Sequence, residues 1–450
     1  MARRLTIRMV EFSAPDNLRH IALDILQLDR VDWMHIITLY LGEYSSSYDF
    51  PNEQAIASEP DRVEVARTMQ YFGQNMRNIA ELNFRCYDMK ATTNMICASF
   101  AFTYGGQLQI LRARIAVPFS IPHLSRHIAV LELALDSSAA RDILPSICGE
   151  TLRVLKLSNV PHNFAWHHFR YNEFVRPIVF PRLTSLDISY EFYNNELTKD
   201  EVQRKITSGA YNCDQLQFPV LKRLEINNCA PDCDLLYADT PFPKLEEVEL
   251  SGTLDELCYY SRLKLAWVGD LTIYISLHTT DDTTAFYSIT NHLFSSICIG
   301  RTADLDIFGD LVSIDPELIR WTNLTYLRVE SVSCETFCEL IARLPNLKGF
   351  TTINLEFGTI LADTFSLVEP LFLSTDPLLA WGAKLTMIKI AEIDDSLPIA
   401  ASACRIQALI LPAGALERLI IPQSIKPSVV AFINKYKDHH PHLANIRVLT

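Results

Sequence analysis

Three aspartates near the middle of the chain come closest to the pattern of a metal site. Asp304, Asp306 and Asp310 could mimic the ligands of a calcium loop, and Gly309 falls at the sixth position, where such loops turn sharply. The fifth position, however, is Phe308, and the twelfth is an aspartate where the loop needs a bidentate glutamate. We therefore predict solvated carboxylates here rather than a calcium site.

Histidines and cysteines, which are common zinc ligands, have spacings that do not complete a site. His167 and His168 are adjacent, so their side chains would point to opposite faces of a strand. The pairs Cys229–Cys233 and Cys334–Cys338 have i,i+4 spacing but lack a second pair at a defined distance. Nucleophile-elbow and metallohydrolase signatures are also missing from the sequence. We expect no catalytic residue, no metal and no cofactor, and hence a protein that is not an enzyme.

Composition and charge narrow the class of partner. The 450 residues include 53 acidic and 40 basic residues, for a net charge of −13. Because nucleic-acid binding depends on clustered lysine and arginine, this balance disfavours it. No window approaches the roughly 20 apolar residues that a membrane helix needs. The 11 cysteines are odd in number and never spaced CxxC, so we expect reduced, mostly buried thiols in the cytosol or nucleus.

One phrase recurs along the chain: an apolar residue, two others, an apolar residue, one other, and a third apolar residue. Fifteen copies lie between residues 36 and 443, at a mean spacing of about 29 residues. Three copies open with Phe-Pro-x-Leu, at Phe180, Phe218 and Phe242. The clear copies begin at Leu152, Leu183, Leu221, Leu245, Leu324, Leu385 and Leu416, and the weaker ones at Ile36, Ile79, Leu108, Ile128, Val268, Thr302, Leu347 and Leu443.

Strand alternation gives this phrase a structural meaning. Positions 4 and 6 lie two residues apart and point into the core, while positions 3, 5 and 7 face the opposite way. Segments with helical apolar spacing lie between the phrases. Strand followed by helix, repeated, predicts an α/β solenoid whose neighbouring units complete one core. The predicted helices are 16–28, 139–147, 283–297, 334–344, 398–409 and 427–436, and a strand is predicted at residues 5–10.

The phrase and its Phe-Pro-x-Leu entries resemble leucine-rich-repeat proteins of the ribonuclease-inhibitor-like and F-box kind, especially predicted fungal F-box/leucine-rich-repeat proteins. The resemblance covers roughly residues 30–450. It implies a single irregular leucine-rich-repeat solenoid over 1–450, curved, with parallel strands on the concave face and helices and irregular loops on the convex face. Residues 1–30 would form an N-terminal cap or first repeat, and residues 425–450 a C-terminal repeat or cap. We expect a monomer.

The same resemblance implies substrate recognition in an SCF-type ubiquitin ligase. An F-box would be a helical segment of about 40–50 residues opening with a Leu-Pro phrase, and the N-terminal residues do not match one. A ligase adaptor is therefore expected as a partner only if an F-box lies outside this chain. Two alternatives stay open: an interaction scaffold unrelated to ubiquitin, and an enzyme whose site lies in an insertion such as residues 44–60 or 190–217.

Positions 3, 5 and 7 of the phrases between residues 183 and 308 form an acidic column in which Arg223 alone opposes the acids. We hypothesise that it captures a basic segment of a partner protein, with Tyr274 and Phe308 as anchors. A solvated face of an acidic protein is the alternative. The acids are Asp187, Glu225, Glu247, Glu249, Asp270, Asp304 and Asp306. The same positions in the phrases after residue 308 are basic, with Arg328, Lys389, Arg418 and Arg447. In the phrases before residue 183 they carry mixed charges, with Glu81, Arg112, Glu132 and Lys156.

Overall fold

The structure is a computed structural model, and its contacts group the chain into two compact units, Met1–Leu245 and Glu246–Thr450. The residues that it describes are 4–8, 38–42, 70, 74, 76–85, 103–116, 127–134, 150–160, 178–190, 216–228, 242–260, 265, 267–277, 283–310, 315–356, 384–393, 399–410 and 413–450. The helices predicted at 16–28 and 139–147, and nearly all of the insertions at 44–60 and 190–217, lie outside them.

Parallel strands in sequence order make up the sheet of the first unit. Eight of them pair side by side, and the short strands β7 and β9 pair separately. The strand predicted at residues 5–10 is confirmed over residues 5–8 as part of β1, and residues 9 and 10 lie outside the described residues. The strands are β1 Arg4–Arg8, β2 Thr38–Gly42, β3 Glu81–Arg85, β4 Ile110–Ala116, β5 Val130–Ala134, β6 Val154–Val160, β7 Ile178–Val179, β8 Ser185–Tyr190, β9 Leu216–Gln217 and β10 Arg223–Asn227.

The second unit repeats this plan with eight further parallel strands in sequence order. Each strand is hydrogen-bonded to the next one along the chain, which is the pairing expected of stacked repeats. The strands are β11 Glu247–Thr253, β12 Trp267–Ser276, β13 Cys298–Asp310, β14 Tyr326–Ser333, β15 Gly349–Glu356, β16 Met387–Ile393, β17 Arg418–Ile420 and β18 Arg447–Leu449.

Helices in the second unit connect successive strands. Four of the predicted helices are confirmed, and no bound differs by more than one residue. The α-helices among the described residues are α1 Leu254–Tyr260, α2 Thr283–Ser296, α3 Cys334–Arg343, α4 Ile399–Ile410 and α5 Lys426–Tyr436, and short 3-10 helices lie at Gly105–Gln107, Pro316–Leu318 and Pro441–Asn445. In the described part of the chain, no helix is long and apolar enough to cross a bilayer.

The core is built from the first, fourth and sixth positions of the phrase. One copy of the phrase begins at Leu183, and its fourth and sixth positions are Leu186 and Ile188. All three side chains lie in the interior and are at most 1% exposed. The residues between them are partly exposed, so β8 alternates strictly. The predicted assignment of faces is therefore confirmed, and one face of each sheet presents positions 3, 5 and 7. We call it the polar face.

The Phe-Pro-x-Leu entries add a second buried layer in the first unit. The rings of Phe180 and Phe218 stack with centroids 5.1 Å apart, and Phe218 stacks on Phe242 at 5.8 Å. Each ring precedes a proline that cannot donate a ladder hydrogen bond, so the motif ends one crossover and opens the next strand. Stacked phenylalanines thus tie three successive repeats together.

Left-handed backbone recurs at one place in the repeat, two residues after the sixth position. Asn159, Asn228 and Gly309 have φ of 53°, 55° and 109° there. Asparagine and glycine tolerate this region better than other residues. At Asn159 and Gly309 the register to the next strand shifts by one residue, which is a β-bulge. The eighth position is therefore the bulged residue in β6 and β13, and pairing resumes at the residue that follows it.

The start of α1 has reciprocal capping. Glu256 Oε2 accepts a hydrogen bond of 2.6 Å from the backbone N–H of Thr253, and the Thr253 hydroxyl accepts one of 3.5 Å from the backbone N–H of Glu256. This is a capping box, which satisfies two N–H groups at a helix start. A Cβ on Gly252 would lie 2.5 Å from the same Oε2, so the glycine leaves room for the glutamate.

Chain-ordered parallel strands, helical crossovers and a core of repeated apolar positions define the fold class as an α/β leucine-rich-repeat solenoid. The expectation of mostly buried thiols can be compared with the structure at one cysteine. Cys298, the cysteine whose side chain the structure describes, is a free thiol and exposed rather than buried. It lies at the start of β13, where the strand extends beyond the pairing with β14.

Candidate functional site

The residues predicted to form one acidic column divide between the two units. Asp187 and Glu225 lie on β8 and β10 of the first unit. The second unit carries the remaining seven on three adjacent strands, β11, β12 and β13. These seven are Glu247, Glu249, Asp270, Tyr274, Asp304, Asp306 and Phe308.

In the first unit, the acids of the polar face are paired with bases. Lys156 Nζ lies 3.0 Å from Asp187 Oδ2, and Arg223 lies 3.2 Å from Glu225. Burial raises the pKa of Asp187, the hydrogen bond from Lys156 lowers it, and the charge of Glu225, its register partner on β10, raises it. Charge on this part of the sheet is thus largely compensated by neighbouring strands.

On the earlier strands of the first unit, residues of the mixed column predicted from the sequence also form ion pairs. Arg112 on β4 contacts Glu81 on β3 and Glu132 on β5, the latter at 3.0 Å. Alternating charges on neighbouring strands are a stabilising cross-strand arrangement. The polar face of the first unit therefore carries pairs of opposite charges rather than a field of one sign.

Five carboxylates lie together on the polar face of the second unit, and we call them the acidic face. The register places Glu247 of β11 beside Asp270 of β12. In the next row Glu249 lies beside Thr272, which lies beside Asp304 of β13. Each side chain is partly exposed. The acidic face consists of Glu247, Glu249, Asp270, Asp304 and Asp306.

The pairing of β12 with β13 is offset by two residues from the phrase numbering. Counting from Val268 and Thr302 would place Asp304 beside Asp270, but Asp270 pairs with Thr302. The register shifts between Val268 and Asp270, and the intervening Gly269 leaves no room for a side chain because a Cβ would lie 2.4 Å from the Glu246 carbonyl oxygen. This glycine inside a strand is the sequence signal that marks the close approach.

Basic residues oppose the acidic face at two points, so the expectation that Arg223 alone does so is wrong. Arg301 lies 2.8 Å from Asp270 Oδ2, and Arg328 lies 3.6 Å from Asp306 Oδ2. Asp270 Oδ1 also accepts hydrogen bonds from the Thr302 hydroxyl at 2.9 Å and its backbone N–H at 3.2 Å. Arg301 could not be placed from the phrase because it precedes Thr302 and faces Asp270 only through the register offset.

Asp304 is the most perturbed carboxyl of the acidic face. Burial raises its pKa to about 6, the Thr325 hydroxyl lowers it through a long hydrogen bond of 3.4 Å, and the charges of Asp306 and Asp270 raise it. Burial also raises the pKa of Asp306, and Arg328 partly offsets this effect. At both aspartates, burial therefore outweighs the stabilisation of the carboxylate by neighbouring groups.

Two aromatic side chains accompany the acids. Tyr274 lies in the row that joins Ser251, Asp306 and Arg328. Phe308 is 38% exposed, and the Arg328 guanidinium lies 5.9 Å from the centre of its ring. An exposed ring beside desolvated carboxylates can hold the stem of a lysine or arginine while the acids hold its charge.

The chemistry available at this surface is cation binding through carboxylates and ring faces. Within the described ranges, no three His, Cys, Asp or Glu side chains are grouped to hold a metal ion. Asp304 and Asp306, which could mimic calcium ligands in the sequence, lie on one strand and face Thr272 and Tyr274.

Comparisons with known proteins add a distant likeness. No protein-family model matches the sequence, and no curated protein does. Among solved structures, the complex of Rad7 and Elc1 from yeast is similar at 17% identity and a TM-score of 0.34, covering 78% of this chain and 76% of that chain. The fold assignment rests on the strand order and repeat geometry of the chain itself.

Proposed function

We propose that this protein is a protein-binding scaffold and that the acidic face of its second unit takes up a basic segment of a partner protein. The observation that carries the proposal is the placement of five carboxylates on one face of three paired strands, beside the exposed ring of Phe308. Solenoids commonly present such strand faces as extended binding surfaces. Parallel pairing on both sides holds β12 and β13 rigid, which lowers the entropy lost on binding.

The raised pKa of Asp304 supports a cationic ligand. Its carboxylate lacks sufficient positive charge nearby, since Arg301 and Arg328 contact other aspartates. A lysine or arginine of a partner would supply that charge and would favour the ionised form. Opposite charge across an interface also steers association and selects the partner.

The test compares two double variants that change the net charge equally, from −13 to −11. Glu247→Gln with Glu249→Gln alters the acidic face. Glu339→Gln with Glu417→Gln alters two exposed positions, on α3 and before β17. Asp270 is kept because its bonds to Thr302 and Arg301 are structural, and its replacement would confuse binding with stability.

The probe is a fluorescein-labelled peptide, Lys-Arg-Lys-Ser-Leu-Gly-Ser-Gln-Ser, followed by anisotropy at low and physiological salt. We expect the acidic-face variant to bind about tenfold more weakly than the wild type and the control variant to bind like the wild type. Thermal unfolding of all three proteins checks that the fold is retained. An equal loss of peptide affinity in both variants would mean that net charge alone attracts the peptide, and the proposal would fail.

A finer version of this proposal is substrate recognition in an SCF-type ubiquitin ligase. It follows the resemblance of the repeats to those of F-box/leucine-rich-repeat proteins. Affinity purification of the wild type and of the acidic-face variant, followed by mass spectrometry, separates the versions. Recovery of a cullin and its adaptor supports the ligase role. Partners that depend on Glu247 and Glu249 without ligase subunits support a scaffold unrelated to ubiquitin.

A further inference from the structure

The polar face of the second unit changes sign along the strand order. Two rows of residues follow the register from β11 to β18. The first row consists of Glu249, Thr272, Asp304, Tyr326, Gly349, Met387, Arg418 and Arg447. The second row consists of Ser251, Tyr274, Asp306, Arg328, Thr351, Lys389, Ile420 and Leu449. In these two rows the acids lie on β11 and β13, and the bases lie on β14, β16, β17 and β18.

The basic end is a cluster that its own neighbours do not neutralise. Arg418 lies directly opposite Arg447, and Lys389 is one strand away on β16. All three are exposed, and none forms an ion pair with another residue in the described ranges. Like charges directly opposite each other on paired strands are unfavourable. An external anion between the two guanidinium groups would relieve that repulsion, and arginine is well suited to bidentate carboxylate binding.

Between the acidic and the basic residues of the first row lies an apolar contact site, formed by Tyr326, Gly349 and Met387. A Cβ on Gly349 would be 2.4 Å from Cδ1 and 2.6 Å from Cε1 of Tyr326, and 3.1 Å from Cε of Met387. The tyrosine ring therefore occupies the space above the glycine and reaches toward the methionine on β16. The side chains of Tyr326 and Met387 are both partly exposed, so this site offers an aromatic and a thioether contact to a bound ligand.

We propose that one extended partner segment crosses these strands, with basic residues over the acidic face, an apolar residue over Tyr326 and Met387, and acidic residues over Lys389, Arg418 and Arg447. The proposal rests on the proposed function and specifies its ligand. Charge complementarity at both ends of one rigid sheet argues for a single occupant. Two charged ends joined by a short linker bind more tightly than either does alone.

Strand spacing sets the length of that segment. Asp304 on β13 and Arg418 on β17 are four strand steps apart. At about 4.8 Å per step the separation is about 19 Å, and at about 3.3 Å per residue an extended chain covers it in about six residues. The matching peptide is Lys-Arg-Lys-Ser-Leu-Gly-Asp-Glu-Asp, in which the central arginine and the central glutamate lie about six residues apart.

The experiment measures anisotropy of three labelled peptides: this bipolar peptide, the basic peptide used above, and the shortened Lys-Arg-Lys-Asp-Glu-Asp. We expect the bipolar peptide to bind about tenfold more tightly than the basic one, and the shortened peptide to lose that advantage. Arg418→Gln with Arg447→Gln should remove the tenfold difference and leave binding of the basic peptide unchanged. Lys435→Gln with Lys437→Gln, two exposed positions on and just after α5, is the matched control and should change neither affinity.

The outcomes separate the two proposals. If the basic peptide still depends on Glu247 and Glu249 but the bipolar peptide gains nothing, the bipolar ligand is refuted and the proposed function stands. If binding of the basic peptide does not depend on those glutamates, the proposed function fails, and the bipolar ligand fails with it. Sedimentation velocity adds one more outcome: a wild-type dimer abolished by Arg418→Gln with Arg447→Gln would assign the face to a second copy of the chain and overturn the partner segment.

Discussion

Replacing Asp304 by asparagine should stabilise the protein at neutral pH. Asp304 is partly buried, and its carboxylate is opposed by desolvation and by the charges of Asp306 and Asp270. Asparagine has nearly the same volume and retains an oxygen that can accept the hydrogen bond from Thr325. The substitution therefore removes the charge with little change in packing.

The magnitude follows from the pKa. A rise from 3.8 to about 6 corresponds to about 3 kcal/mol, at about 1.4 kcal/mol per pKa unit. Because Asp304 is partly exposed to solvent, screening reduces this figure, and we expect about 1 kcal/mol of stabilisation in Asp304→Asn above pH 7.

The sign of the pH dependence is fixed by linkage. Between pH 3.8 and about 6 the folded protein binds more protons at Asp304 than the unfolded chain does. Stability in the wild type therefore falls as pH rises through this window, and the full cost of the carboxylate is present above pH 6. The advantage of the asparagine variant should be largest at pH 8 and should shrink toward zero near pH 4.

Urea unfolding at pH 8, 6 and 4, followed by circular dichroism, measures this difference in free energy of unfolding. Glu339→Gln, which removes an exposed carboxylate from α3, is the control and should show no such trend. If Asp304→Asn is no more stable than the wild type at pH 8, or if its advantage does not decline with falling pH, the account of Asp304 as an under-compensated buried charge is wrong.

Three further substitutions test the repeat geometry. Phe218→Ala removes the middle ring of a stack and should lower the free energy of unfolding by about 3–5 kcal/mol, measured in urea; a loss below about 1 kcal/mol would show that the ring is not part of the core. Thr253→Ala breaks the capping box with Glu256 and should cost about 1 kcal/mol, and a serine variant should restore most of it. Gly349→Ala should cost about 1–3 kcal/mol because its Cβ displaces the Tyr326 ring, and an unchanged melting temperature would contradict that contact.

The strands were predictable because burial has a period of two along them. A residue such as Leu186 or Ile188 is identified as core by its place in the phrase, and the structure buries both. Helices such as α3 were predictable for a related reason, since apolar residues recur at helical spacing and Ser333 caps the start. These features depend on residues close together in sequence.

Register between strands was not predictable in the same way. The offset of β12 against β13 depends on how two strands about 30 residues apart pack, and the phrase carries no information about it beyond Gly269. Arg301 was missed as a partner of Asp270 for this reason. The members of the acidic column on the second unit lie on one face, but Arg301 and Arg328 change the charge balance that the phrase indicated.

The division of positions in the repeat explains how such a surface can exist. Burial fixes the first, fourth and sixth positions to apolar residues, so the third, fifth and seventh positions are free to carry charge without disturbing the core. The cost is local: burial, with a smaller effect from the like charges nearby, raises the pKa of a carboxyl such as Asp304 to about 6. A ligand that supplies the opposite charge recovers this cost on binding. The raised pKa of Asp304 and the directly opposed Arg418 and Arg447 therefore mark two places on the polar face where a partner of complementary charge would restore stability.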